Sequence, residues 1–182
     1  MEFEELEQRI VRDLAVELAD EFDRNFERKA FFTETWPATK LRNSRGSVMM
    51  RSGKLRRSIK YNISNNQITF SSSLPYASIN NEGGEIKVTD KMKRFFWAMY
   101  YKAAGAVITK KDGEQSKSKR NVNLTNEAAQ WKALALMKVG QIIKVEKRQF
   151  VGDHPIVGMT VEIIINENMQ VFNDELAKTF KK

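Results

Sequence analysis

The chain contains no cysteine and a single histidine among its 182 residues. Disulfides, thiolate metal sites and cysteine nucleophiles are therefore excluded. The one histidine, His154, cannot build an ordinary zinc site without a second histidine or a cysteine. It also has no oriented partner that the sequence identifies, so we expect no general acid or base here. We expect no cofactor, no metal and no enzymatic activity.

Long apolar runs are also missing. No stretch approaches the ~20 apolar residues that span a bilayer, so we expect no membrane partner. The first residues are acidic where a signal peptide is basic, which favours a cytoplasm or a particle assembled there. A chain of 182 residues can bury a core without covalent staples. We expect a single domain over residues 1–182.

Acidic residues are absent from one long stretch. Between Thr35 and Asn81 there is no acid and there are eight bases, whereas Met1 to Glu34 carries eleven acids against five bases. Three interpretations stay open: a basic surface for nucleic acid or another polyanion, an acidic helix facing the basic stretch of a neighbouring copy, and a plain solvated surface. No helix-turn-helix, zinc finger or aromatic RNA-binding strand accompanies the bases, which disfavours sequence-specific DNA recognition.

A second basic stretch, residues 109–123, is polar, rich in lysine and without periodicity. It predicts a flexible loop, and so does the polar stretch near residues 37–51. Bases bound to phosphate release counterions, so both basic regions are candidates for non-specific DNA contact, with a solvated surface as the alternative. The possible polyanion contacts are Arg51, Lys54, Arg56, Arg57, Lys110, Lys111, Lys117, Lys119 and Arg120.

The strongest periodicity lies at the start of the chain. Apolar residues recur there at three- and four-residue spacing, which predicts an amphipathic helix of about six turns whose apolar face lies across a small sheet. Trp36 follows, just before a proline, and we predict that it fills the edge of the core, a partner anchor being the alternative. The stripe consists of Phe3, Leu6, Ile10, Leu14, Leu18, Phe22 and Phe26.

An alternating pattern predicts the sheet. Tyr61 and Ile63 alternate with polar residues, and a second alternating pair follows the two asparagines at residues 65–66. Asparagine tolerates left-handed backbone, so this pattern predicts a hairpin. The two glycines at residues 83–84 reverse the chain, and a third strand follows at residues 86–88. We predict one small antiparallel sheet and an α+β fold.

Further helices are predicted towards the C-terminus. Thr89 is placed to cap a helix. The aromatic residues of this helix, at positions 96–101, are predicted to lie in the core or in a subunit interface, with stacking of nucleic-acid bases as the alternative. Thr125 predicts the cap of another helix that reaches about Ile142. The tail fits either a strand or a helix. We predict a helix from about Val161 because its pattern persists so long.

Three short motifs occur in order across residues 36–152. They are SGKLRRSI at residues 52–59, LPYASINNEGG at residues 74–84 and RQFVG at residues 148–152. Together they resemble the phage virion-morphogenesis family, whose usual pattern is a Gly-X-Leu-X-X-Ser-Ile turn, a Tyr-Ala-X-Ile-His-X-X-Gly-Gly loop and a late Arg-X-Phe-hydrophobic-Gly. Asn80 stands where histidine is common, so no metal or proton chemistry is carried over to it. The motif residues, with roles in turn geometry and packing, are Gly53, Leu55, Ser58, Tyr76, Ala77, Gly83, Gly84 and Phe150.

The resemblance implies a non-enzymatic structural or assembly protein of a tailed phage or prophage, acting in tail completion or head-tail joining. Such a protein works in the virion or in the host-cell cytoplasm during assembly. Its partners would be other tail or head-tail connector proteins, and copies of itself in a ring closed by a heterologous contact. A basic nucleic-acid-binding module is the alternative function.

An enzyme alternative rests on three residues alone. Glu85-Ile86-Lys87 matches the short signature of many magnesium-dependent nucleases. Such a site needs a further aspartate, and only distant candidates such as Asp90 or Asp153 are present. We therefore expect no nuclease.

Overall fold

The computed structural model describes residues 3–39 and 46–180. Helices combine with small antiparallel sheets, so the predicted α+β class is confirmed. Across the described residues, no helix is both long and apolar enough to cross a membrane. In chain order the elements are α1 (Phe3–Arg28), β1 (Ala30–Phe31), β2 (Glu34–Thr35), α2 (Lys54–Ser58), β3 (Ile59–Ser64), β4 (Gln67–Ser72), α3 (Ala77–Glu82), β5 (Gly84–Lys87), α4 (Asp90–Gly105), α5 (Lys119–Ala135), β6 (Ile142–Val145) and α6 (Pro155–Phe180).

The chain forms two compact units. Unit 1 comprises Met1–Pro37, Met49–Glu82 and Lys147–Lys182, and unit 2 comprises Ala38–Val48 and Gly83–Glu146. Unit 1 holds α1 to α3, β1 to β4 and α6, while unit 2 holds β5, α4, α5 and β6. That they make up one domain stays a prediction. Residues 40–45, in the loop predicted near 37–51, lie outside the described residues.

The first helix of unit 1 covers the stretch that the periodicity predicts. Its apolar face packs against α6 and against the hairpin of β3 and β4, so the prediction that it lies across a small sheet is confirmed. Leu18 and Phe22 form a buried cluster with Phe31 and Phe32. The buried residues of α1 are Leu6, Val11, Leu14, Ala15, Leu18, Phe22, Asn25 and Phe26.

The predicted hairpin is also present. β3 and β4 pair antiparallel with Ser64 opposite Gln67, so a two-residue turn joins them. Both turn residues have left-handed backbone, with φ of 49° at Asn65 and 58° at Asn66. A type I′ turn requires positive φ at both positions, and asparagine accepts it more readily than most residues.

The predicted third strand forms but does not join the hairpin. β5 pairs antiparallel with β6, with Ile86 opposite Ile143. The sequence prediction was wrong because it placed Ile142 on a helix and so left β5 without its true partner. That helix, α5, ends at Ala135, and Gly140 with φ 85° then turns the chain into β6.

The helices of unit 2 begin at well-defined caps. Thr89 caps α4 as predicted, because its Oγ1 accepts a hydrogen bond from the Met92 N–H at 3.3 Å. α5 begins at Lys119, earlier than the cap predicted at Thr125. Its N-cap is Ser118, whose Oγ accepts a hydrogen bond from the Asn121 N–H at 3.2 Å. The loop predicted over 109–123 therefore ends at Ser118. Sequence reasoning missed the cap of α5 because the surrounding residues are polar and rich in lysine.

The tail is helical. α6 begins at Pro155, earlier than the start predicted near Val161, and proline suits the first helical position because no N–H is needed there. The preceding His154 accepts a hydrogen bond at Nδ1 from the Ile156 N–H, at 3.2 Å. Its ring stacks on Phe32 with centroids 4.7 Å apart. These contacts make His154 a cap and a packing partner.

The hairpin turn gives a first prediction. Asn66→Ala should lower the free energy of unfolding by about 1 kcal/mol, because left-handed backbone is costly for residues other than glycine and asparagine. Asn66→Gly should be neutral or stabilising, since Asn-Gly suits this turn. Urea unfolding measures both. Asn62→Ala, in extended backbone on β3, is the control and should change stability by less than about 0.5 kcal/mol. An equal loss in Asn62→Ala and Asn66→Ala would contradict the prediction.

Two arginines on α1 stabilise the charged form of Glu21. Glu21 accepts hydrogen bonds from Arg24 Nη1 at 2.6 Å and from Arg28 Nη1 at 2.9 Å. Burial by itself would raise the pKa of Glu21, but the hydrogen bonds from Arg28 and Arg24 outweigh it and hold that pKa below its ordinary value of 4.5. The stability that Glu21 contributes is therefore present above its unfolded pKa and is lost as pH falls through the lowered folded pKa.

A second prediction follows for acid conditions. Glu21→Gln should be less stable than the wild type at pH 7, and the difference should shrink at pH 3, because protonation of Glu21 progressively removes its charge as the pH falls. Urea unfolding at the two pH values measures it. Glu7→Gln removes an exposed carboxylate on the same helix that has no recorded ion pair, and it should lose less stability at pH 7. A deficit of Glu21→Gln that is unchanged at pH 3 would show that packing, not charge, is responsible.

Candidate functional site

The first motif closes the open end of the hairpin. Gly53 stands before α2 with left-handed backbone, φ 65°, and a Cβ there would lie 2.7 Å from Arg57 Nη1. Leu55 is buried. Ser58 Oγ donates a hydrogen bond to the Leu55 carbonyl at 2.7 Å and lies 2.7 Å from Ser72 Oγ. Because Ser72 is the last residue of β4, this hydroxyl pair ties α2 to the end of the hairpin.

The second motif is helical where the sequence prediction had only a loop. α3 begins at Ala77, which is buried, while the ring of Tyr76 just before it is exposed. The helix is too short to show periodicity, which is why sequence reasoning missed it. Gly83 and Gly84 follow with φ of 75° and 146°, and this freedom of glycine lets the chain turn from α3 into β5.

One side chain of α3 holds the third motif in place. Asn81 Oδ1 accepts hydrogen bonds from the Phe150 N–H at 2.9 Å and from the Val151 N–H at 3.1 Å. Its Nδ2 donates to the Val151 carbonyl at 3.0 Å. A single amide thus provides the pairing that a neighbouring strand would otherwise supply.

A second amide holds the same segment from the other side. Asn25 is wholly buried, donates from Nδ2 to the Phe150 carbonyl at 3.2 Å, and accepts at Oδ1 from the Phe32 N–H at 2.9 Å. Phe32 has left-handed backbone. The centroids of the Phe150 and Phe26 rings are 5.3 Å apart. Sequence reasoning missed Asn25, although a polar residue three positions after Phe22, on the apolar stripe, was a usable signal.

The start of the third motif is fixed by its backbone and by Arg148. The Arg148 N–H donates to the Asn80 carbonyl at 2.8 Å, and its Nε donates to the Pro37 carbonyl at 3.0 Å. Trp36 Nε1 donates to the Gln149 carbonyl at 2.6 Å. Trp36 is buried, so the prediction that it fills the core is confirmed.

The three motifs meet around a groove in unit 1. The groove has a volume of about 360 Å³. The groove is open, and its walls are largely apolar. Its walls include Ile59, Leu74, Pro75, Ala77, Phe150 and Val151.

The basic residues of unit 1 differ in their surroundings. Arg56 forms a forked ion pair with Asp23 and a further contact with Glu27 at 2.7 Å, both on α1. Hydrogen bonds to Asp23 and then to Glu27 raise the pKa of the Arg56 guanidinium above its ordinary value. The attraction between the acidic helix and the basic stretch is therefore satisfied at Arg56 within one chain. The other candidate cations of this unit are exposed: Arg51, Lys54 and Arg57.

The basic loop of unit 2 is anchored at its base. Asn121 is buried, and its Oδ1 accepts a hydrogen bond from the Ile108 N–H at 2.7 Å while its Nδ2 donates to the Ser116 carbonyl at 2.7 Å. The candidate cations extend from the loop into the first turn of α5, and all are exposed: Lys110, Lys111, Lys117, Lys119 and Arg120.

The predicted nuclease signature and any metal cluster can be compared with the structure. In the described part of the chain, no three His, Cys, Asp or Glu side chains cluster so that they could hold a metal ion. On β5, Glu85 lies opposite Lys144 of β6, and Lys87 lies opposite Ile142. The strand register thus places a cation, not a second carboxylate, across from the acid of the nuclease signature.

Comparison of the chain with protein-family models, curated proteins and solved structures finds no match. The resemblance to the virion-morphogenesis family therefore rests on the three motifs alone. Their arrangement is the observation that bears most directly on function.

A third prediction concerns the amide that holds the third motif. Asn81→Ala should lower the free energy of unfolding by about 2–4 kcal/mol, because two backbone N–H groups lose their acceptor. Urea unfolding measures the change. Asn80→Ala is the matched control, since it removes only a bond from Nδ2 to the Tyr76 carbonyl and keeps the backbone bond to Arg148. Similar losses in Asn80→Ala and Asn81→Ala would contradict the prediction.

Proposed function

We propose that this chain is a non-enzymatic structural or assembly protein of a tailed phage or prophage, acting in tail completion or head-tail joining. The convergence of the three motifs on one core of unit 1 carries the proposal. The motifs at residues 52–59, 74–84 and 148–152 are distant in sequence, yet each contributes to one groove, the first of them through Ile59. The last two motifs are also joined by hydrogen bonds. A shared structural task for the motifs is what the resemblance implies.

The roles of the motif residues support a structural protein. Gly53 and Gly83 provide left-handed backbone, Ser58 closes the hairpin, and Phe150 fills the core. The amides around Phe150 bind backbone groups, and such groups position chain segments instead of transferring protons. These residues supply geometry, not chemistry.

An assembly protein also needs a surface for further subunits, and α6 offers one. Four apolar residues, spaced four and seven positions apart, share one face of this helix and are exposed. Exposed apolar surface of this kind marks contact sites. We assign this face, the α6 stripe, to contacts between copies of the chain in a ring, formed in the host-cell cytoplasm or the virion, where tail or connector proteins would join it. The stripe consists of Ile165, Met169, Leu176 and Phe180.

Light scattering tests the proposal. The mass of the purified protein is measured from low to high concentration, with and without double-stranded DNA, at two salt concentrations. A discrete oligomer that forms without DNA is expected. A monomer that binds DNA and releases it at higher salt would favour a basic nucleic-acid-binding module instead.

A fourth prediction locates the contact. Met169→Glu should raise the concentration needed for assembly about tenfold or more, because a carboxylate would have to be buried in an apolar contact. Gln170→Glu is the matched control, since it adds the same charge one residue along, about 100° around the helix. It should assemble like the wild type. Equal effects of the two variants would remove the α6 stripe as the contact.

A further inference from the structure

The outer side of α4 carries a pair of stacked aromatic rings. Trp97 and Tyr101 are one turn apart, with centroids 5.9 Å apart and ring planes 27° from parallel. Tyr100 contacts both, with centroids at 5.6 Å and 5.2 Å. Tyr101 is 66% exposed. The prediction of core or interface is confirmed on this helix for Phe96, which is buried, but not for Tyr101.

One of these three rings, which together we call the aromatic face, borders a cleft in unit 2. Tyr100 is one of its walls, together with residues of α5 and of the loop between α4 and α5. The cleft has a volume of about 400 Å³. Thr109, Gln115 and Thr125 place polar groups along it. Lys132 of α5 lies 5.9 Å from the centroid of the Tyr100 ring. Tyr100 thus joins the aromatic face to a cleft of mixed polar and apolar lining, and a cation lies near its ring.

The part of the chain that carries the aromatic face is strongly basic. Residues 83–146 contain thirteen Lys or Arg and six Asp or Glu. Lys93 and Arg94 precede the stacked pair on α4, and Lys102 follows it. The structure records no ion pair for these three cations within its described part, in contrast to Arg56 of unit 1. Their charge is available to a ligand.

We propose that the aromatic face, the cleft and the surrounding cations form a binding site for single-stranded nucleic acid. Bases of a single strand are free to stack on exposed rings, and this contact is tolerant of sequence. The phosphates between them would meet the cations and release counterions. The site is separate from the α6 stripe and does not depend on the proposed role in assembly.

The combination of rings and charge favours a single strand over other anionic partners. The faces of the bases are stacked inside a duplex, so a duplex would bind the cations and would make no stacking contact with the rings. An acidic protein surface would likewise pair with the cations without needing two rings in parallel. Only an unpaired strand uses both features of the site.

Fluorescence anisotropy of a labelled 12-nucleotide oligothymidine tests the proposal with the full chain. We expect binding that weakens as salt rises, and that exceeds binding to a duplex of the same length or to inorganic polyphosphate. Tyr101→Ala, at the most exposed ring, and Trp97→Ala should each weaken oligothymidine binding about tenfold and leave polyphosphate binding unchanged. Phe3→Ala, at an exposed aromatic of α1 outside the α6 stripe, is the control and should bind like the wild type.

Two results would overturn the site. The first is equal affinity for oligothymidine and polyphosphate that neither aromatic substitution changes, since charge alone would then account for binding. The second is self-association that shields Trp97 from a fluorescence quencher without any oligonucleotide, because the aromatic face would then be a contact between copies. Trp97→Phe keeps a ring and should retain binding, which separates loss of stacking from loss of folding.

Discussion

Two side-chain amides hold unit 1 together. Asn81 binds the backbone of Phe150 and Val151, and Asn25 binds the Phe150 carbonyl, so a segment without a neighbouring strand has its polar groups satisfied in a largely apolar interior. Unpaired N–H and carbonyl groups there would each cost about 1–3 kcal/mol. This pairing lets the Phe150 ring reach the rings of α1. The position of α3, the end of the hairpin and the groove between the motifs all depend on it.

Charge is arranged differently in the two units. In unit 1 two carboxylates of α1 form ion pairs with Arg56, so part of the basic stretch of this unit is neutralised within the chain. In unit 2 the candidate cations of the loop before α5 are exposed, and α4 carries both cations and the exposed ring of Tyr101. Net charge alone would have suggested the stretch before Asn81 as the polyanion surface. The pairing of Arg56 with Asp23 and Glu27, which composition does not reveal, removes one cation from that surface.

Patterns of local origin were predictable, and pairings between distant segments were not. The stripe of α1, the Asn65-Asn66 turn and the Thr89 cap follow from spacing and backbone preference, which act over a few residues. The partner of β5 was not predictable, because β6 is only four residues long and lies far along the chain. At the candidate site the motif residues were identified from sequence, whereas Asn25 and Asn81 were not. Asn25 and Asn81 matter because each forms a hydrogen bond with the backbone of Phe150, which lies 125 and 69 residues further along the chain.

The hydrogen bond between Asn80 and Arg148 also has a consequence for synthesis. It joins two residues of unit 1 between which, in the sequence, nearly the whole of unit 2 lies. β5 and β6, near the two ends of this intervening segment, pair with each other. Unit 2 is therefore complete on a nascent chain once residue 146 has emerged. Unit 1 must wait for the last segment, since α1 has no α6 to pack against until then. During translation the part of the apolar stripe of α1 that packs against α6 stays exposed until α6 has been made, a period in which chaperones have access to it.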